Sequence, residues 1–109
     1  MVEYAISLDD TFSALADPTR RDILRRVSSR QLTIGQIAEH YSLTFAAVSK
    51  HLMVLEKARL IVKRRVGRKQ FVRAQTTALK EAEEYLEWYR QFWTERLDAL
   101  EIYLKETEE

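Results

Sequence analysis

Fourteen lysines and arginines fall between residues 20 and 73, against three acids, Asp22, Glu39 and Glu56. Permanent cations at that density do one kind of chemistry well. They pair with phosphate oxygens and release the counterions condensed on a polyanion. An ordinary solvated face explains scattered charge, but not so one-sided a segment. Short side chains interleave with these cations. Ala46, Ala47, Ser49 and Lys50 are compact enough, or long and flexible enough, to let a helix approach base edges. Ala47 suits a thymine methyl, and Lys50 suits the acceptors of guanine. Thr44 precedes this run and His51 follows it. Phe45 has two readings: it continues the apolar Val48/Leu52 stripe, or it contacts thymine methyls, and partial burial is expected. Arg64, Arg65, Arg68 and Lys69 flank a turn, where long bases reach a phosphate backbone.

Other chemistries lack their residues. The chain has no cysteine, so it holds no disulfide, thiolate metal site or thiol nucleophile. Its two histidines, His40 and His51, fall short of the four ligands a zinc ion wants. His51 is expected to be a satisfied polar side chain bonded to backbone or phosphate. No glycine-rich phosphate loop and no Ser/His/acid set is present, so no cofactor is expected and an enzyme is not.

The elements that must position these residues follow from periodicity. Leu8, Phe12 and Leu15 predict a short amphipathic helix over 8–16. Asp17-Pro18 reads as an N-cap and first helical residue, opening a helix that buries Ile23, Leu24 and Val27 and stops at Ser28-Ser29. Thr33 and Gln36 form a capping box for a helix that ends near Tyr41. Ser42-Leu43-Thr44 is a tight connection, and Thr44 caps a helix from Phe45 to Ala58. IVKRRV and QFVRA read as two basic strands around Gly67-Arg68-Lys69. Thr77 is expected to cap a last helix over 78–105, roughly 40 Å long at 1.5 Å per residue. The fold class is therefore mainly α with a small β-hairpin wing: a winged helix-turn-helix.

That last helix carries Leu86, Tyr89, Trp93, Leu97, Leu100 and Leu104 at spacings of three and four, and six of the eleven aromatics. A winged core at 18–75 is too small to cover such a stripe. Packing against a second copy, with Leu8 and Phe12 of the first helix contributing, is the expected use, so the fold is read as dimerised through its terminal helices. An effector pocket among the aromatics is the less favoured use.

One hundred and nine residues make one domain, 1–109, with a thin stability margin that a partner subunit would widen. The net charge of +1 hides −4 over residues 1–19, +11 over 20–73 and −6 over 74–109. No apolar run approaches the ~20 residues of a membrane span. The acidic MVEYAISLDD start is unlike a signal peptide. A cytoplasmic location is expected, with no membrane partner.

Five strings carry a resemblance. LADPTRRDILRRV (15–27), LTIGQIAEH (32–40), LTFAAVSKHLMVLEKARLI (43–61) and RRVGRKQFVRA (64–74) resemble, in order, the second helix, the helix-turn-helix and the wing of the ArsR family of regulators. EEYLEWYRQFWTERLDALEIYL (83–104) is similar to the last helix of its metal-free, SdpR-like branch. The resemblance implies a homodimeric DNA-binding repressor. Three departures stand out: Phe45 where the family often has a polar residue, Arg59 where it usually has glycine, and neither a cysteine in IGQIAEHY nor a histidine on the last helix. The expected function is sequence-specific binding of double-stranded DNA at a palindromic operator. The alternative is a winged-helix assembly module without specific DNA binding.

Overall fold

The computed structural model describes residues 2–108, with side chains described from Leu8 onward. Met1 and Glu109 of the expected single domain lie outside the described residues. The order is α1 (Val2–Leu15), α2 (Pro18–Ser29), β1 (Leu32–Thr33), α3 (Ile34–Tyr41), α4 (Phe45–Lys57), β2 (Ile61–Val66), β3 (Lys69–Ala74) and α5 (Thr77–Glu108). The strands form one antiparallel sheet in the order β1-β3-β2.

Local chemistry sets the helix ends. The Asp17 carboxylate accepts the Arg20 N–H at 3.0 Å, and Pro18 supplies a preset φ at the first turn of α2. The capping box of α3 is complete: Gln36 N–H donates to Thr33 Oγ1 at 3.1 Å, and Thr33 N–H donates to Gln36 Oε1 at 2.9 Å. Thr44 Oγ1 accepts the Ala47 N–H at 3.1 Å and starts α4.

Two helices end alike. Past α3, Ser42 is left-handed at φ 54°; Ser42 N–H donates to Glu39 O and Leu43 N–H to Ala38 O. Past α4, Arg59 is left-handed at φ 59°; Arg59 N–H donates to Glu56 O and Leu60 N–H to Leu55 O. Both are Schellman motifs, built here without the usual glycine. Leu60 and Leu55, joined by the second motif, are both fully buried.

The core gathers Ile23, Leu24 and Val27 of α2, Ile34 and Ile37 of α3, Val48, Leu52 and Leu55 of α4, and Leu60, Ile61 and Val72 beside them. Ala14 and Ala78 tie the terminal helices to it.

Several boundaries differ from expectation. The first helix begins at Val2 and ends at Leu15. Strand β1 adds a third member to the wing sheet: Leu32 pairs with Val72, and Thr33 with Phe71. The wing turn is tighter than expected. Val66 pairs with Lys69, leaving only Gly67 and Arg68 at the tip, with Gly67 at φ 64°. Positive φ at the first central residue alone is the type II′ pattern, which glycine serves. Thr77 lies inside the last helix; the Thr76 carbonyl accepts the Lys80 N–H at 2.9 Å and begins it.

Helix α5 runs for 32 residues but buries only Ala78 and Ala82. It carries the molecule out to 69 Å along its longest axis, with a radius of gyration of 19.1 Å. A compact chain of this length has a radius near ~13 Å.

Candidate nucleic-acid interface

The first turns of α4, the start of α3 and the tip of the β2–β3 hairpin meet on one side of the molecule. They frame an open cleft of about 410 Å³ lined by Thr33, Ile34, Gly35, Phe45, Arg65, Arg68, Lys69 and Gln70. The exposed side of α4 continues from it. Val48, Leu52 and Leu55 point inward, fully buried. Ala46, Lys50, Met53 and Lys57 follow one another at helical spacing on the opposite side, all exposed. Small or apolar residues thus alternate with cations along the line that would face a groove.

The expected site residues divide. Thr44, Ala46, Lys50, Arg64, Arg65, Arg68 and Lys69 are exposed. Ala47 and Ser49 are half-buried on the flanks of α4. Thr44 spends its hydroxyl on the helix cap. His51 is turned off the outer line: its Nδ1 lies 3.9 Å from Asp17 Oδ2, so it faces the start of α2. Partial burial of Phe45 is overturned. The ring is 62% exposed, because it opens α4 three residues before Val48, the first buried residue of that helix, and borders an open cleft.

The basic segment is also less uniform than its composition. Arg20 donates from Nε to Ala14 O at 2.8 Å and from Nη2 to Ser13 O at 3.0 Å. Arg21 Nη1 donates to Leu15 O at 2.7 Å. These two guanidiniums satisfy the last carbonyls of α1. Arg26 donates to Asp22 and packs over the Tyr41 ring, 5.8 Å from its centroid. The Tyr41 hydroxyl donates to the same Asp22 carboxylate. That bond, then Arg26, hold the Asp22 carboxyl below its ordinary value, while burial first and Asp22 second push the Tyr41 phenol up to about 12. Lys63 Nζ lies 3.4 Å from Glu56 and ties the wing to α4. Arg65 Nε donates to Gly67 O at 3.3 Å, within the hairpin tip. Sequence reasoning missed Met53, which is 62% exposed, and the carbonyl-capping role of Arg20 and Arg21. Spacing from Lys50 signalled the first; nothing local signalled the second.

The apolar stripe of the terminal helices lies away from this face. Phe12 meets Tyr85 edge-on at 6.0 Å, and beside them a groove of about 330 Å³ runs between α1 and α5. Leu8 is half-buried. Leu86, Tyr89, Trp93, Leu97, Leu100 and Leu104 are exposed along α5, as are Trp88 and Phe92, which stack at 6.0 Å. Among the described residues, no cluster of three or more His, Cys, Asp or Glu is placed to hold a metal ion. No helix among them is long and apolar enough to cross a membrane.

A capped helix, a tight left-handed turn, a second helix with an exposed outer line, and a basic two-stranded wing define a winged helix-turn-helix protein. Known proteins agree. Residues 17–63 match the family described as bacterial regulatory protein, arsR family. The chain is 35% identical over 75 residues to the transcriptional repressor SdpR of Bacillus subtilis (strain 168), spanning 69% of this chain and 83% of that one. It superposes on the ArsR-like transcriptional regulator from Rhodococcus sp. RHA1 with a TM-score of 0.77 and 29% identity, over 93% of each chain. The homodimeric winged helix-turn-helix DNA-binding domain Mb0332 from Mycobacterium bovis shares the fold at a TM-score of 0.60, with 21% identity over 88% of this chain and 83% of that one. The chain belongs to the arsR family of bacterial regulatory proteins, and it is a transcriptional regulator.

Proposed function

We propose that the chain is a cytoplasmic homodimeric repressor that binds a palindromic operator, with α4 in the major groove and the wing on the flanking backbone. The observation that carries this is the meeting of α4 and the hairpin, where Phe45 shares a cleft with Arg65, Arg68 and Lys69 and an exposed line of Ala46, Lys50, Met53 and Lys57 runs along the same helix. Phosphates take the wing cations; base edges take the helix.

The dimer is supported by the α5 stripe. Trp93 and Leu97 are each 59% exposed in the single chain, and burying aromatic area at roughly 25 cal/mol per Å² favours a covering partner. Mb0332, which shares the fold, is homodimeric. The B. subtilis relative is a repressor. Two-fold symmetry then asks for half-sites about one helical turn, roughly 34–36 Å, apart or a multiple of it. Metal sensing is not part of this role: two histidines and no cysteine fall short of the four ligands a zinc ion wants.

The test pairs sedimentation with selection from a random duplex pool and a salt titration of the selected DNA. A dimer that enriches a palindrome and loses affinity linearly in log salt supports the role. A chain that ignores DNA at low salt points to an assembly module instead.

A further inference from the structure

We propose that Phe45 reads the 5-methyl group of a pyrimidine in each operator half-site, making a methyl-bearing base a requirement of recognition. This rests on the DNA-binding role proposed above.

Phe45 is the first residue of α4, the end of a recognition helix that reaches base edges. Its ring is 62% exposed, with Ala46 exposed after it and Arg65, Arg68 and Lys69 around the same cleft. An exposed ring ringed by cations is a poor seat for an apolar protein partner, which would strip water from three charges without pairing them. A duplex offers the complement: phosphates at the rim of its groove and methyl groups on the floor.

Phenylalanine has no donor or acceptor, so the hydrogen-bonding edges of guanine, adenine and cytosine give it nothing. In the major groove the apolar feature is the C5 methyl of thymine. The same position carries a methyl in 5-methylcytosine. Phe45 therefore distinguishes thymine from uracil, and methylated from unmethylated cytosine. Lys50, five residues further along α4, has three donors and reads the opposite kind of feature.

The experiment replaces each thymine of the selected operator in turn by deoxyuridine. It then compares cytosine with 5-methylcytosine at the sensitive position. Each duplex is titrated against the native chain, Phe45→Ala and Phe45→Leu, with folding followed by thermal melting. The readout is the ratio of affinities for the methylated and unmethylated duplex within one variant. The native chain should lose about fourfold per methyl, or roughly fifteenfold when both half-sites are changed, on the scale of one buried methylene each. Phe45→Leu should keep part of that ratio, and Phe45→Ala should show a ratio near one. An operator bound equally with uracil at every position overturns the proposal while leaving sequence-specific DNA binding in place. A ratio that survives in Phe45→Ala assigns the methyl contact to another residue and overturns it as well. A chain that selects no sequence contradicts the DNA-binding role itself, and this proposal with it.

Discussion

Ser42 and Arg59 hold left-handed backbone that suits achiral glycine and that most L-residues avoid. Each closes a Schellman motif, Ser42 between the two helices of the DNA-binding unit and Arg59 between α4 and the wing. Relief of the Cβ strain competes with the larger backbone entropy that glycine brings to the unfolded chain. Arg59→Gly should be neutral or stabilising by up to ~1 kcal/mol in a urea melt. A loss greater than that would show that the arginine side chain contributes more than its backbone strain costs. The glycine expected at position 59 from family resemblance made this conformation legible in the sequence; Ser42, in a stretch read simply as a connection, was not. Individual cations show the same limit. Composition marks residues 20–73 as basic, but only the approach of α1 to α2 shows that Arg20 and Arg21 bond carbonyls of Ser13, Ala14 and Leu15.

Helices were legible wherever a cap and an apolar period coincide. Asp17-Pro18, Thr33 with Gln36, and Thr44 all start helices where expected. Strand β1 was not, because two residues have no period; its existence depends on Val72 and Phe71 arriving from far along the chain. The tight turn of the wing was half-legible: Gly67 marks it, but pairing of Val66 with Lys69 fixes its length. The Asp17 cap gives a prediction at this scale. Asp17→Ala should cost α2 about 1 kcal/mol in a denaturant melt, and Asp17→Asn much less, since asparagine caps nearly as well. Asp17 is held below its ordinary value of 3.8 first by the Arg20 N–H, with the charges of Arg20 and His51 adding to it. A lowered carboxyl favours the fold above that ordinary value and loses its contribution as pH falls below it. Between about pH 5 and pH 2 the Asp17→Asn chain should therefore lose less stability than the native one. Identical acid melts would show that the cap charge is fully screened.

The whole molecule is two surfaces on one small core. One is the basic face of α4 and the wing; the other is the apolar flank of α1 and α5. The second accounts for the elongated shape, because α5 leaves the core at Ala82 and continues exposed to Glu108. Trp93→Glu with Leu97→Glu should give a folded monomer by sedimentation, since both side chains are exposed in the single chain and only a partner would bury them. A dimer of native strength carrying both changes would move the interface elsewhere. The stripe was readable from spacing, yet which residues face α1 and which face solvent required the fold. The central claim is the division of labour on the basic face, and paired salt titrations test it most directly. Arg68→Ala and Lys50→Ala are each titrated on selected operator and on random duplex. Arg68→Ala should weaken both DNAs alike and reduce the log–log salt slope by roughly 2, at about 0.9 per phosphate in each half of a dimer. Lys50→Ala should instead narrow the gap between operator and random DNA by ~1–3 kcal/mol per half-site. If Arg68→Ala abolishes the preference for operator while Lys50→Ala merely lowers the salt slope, the wing reads the bases and the helix holds the backbone, the reverse of what this geometry predicts.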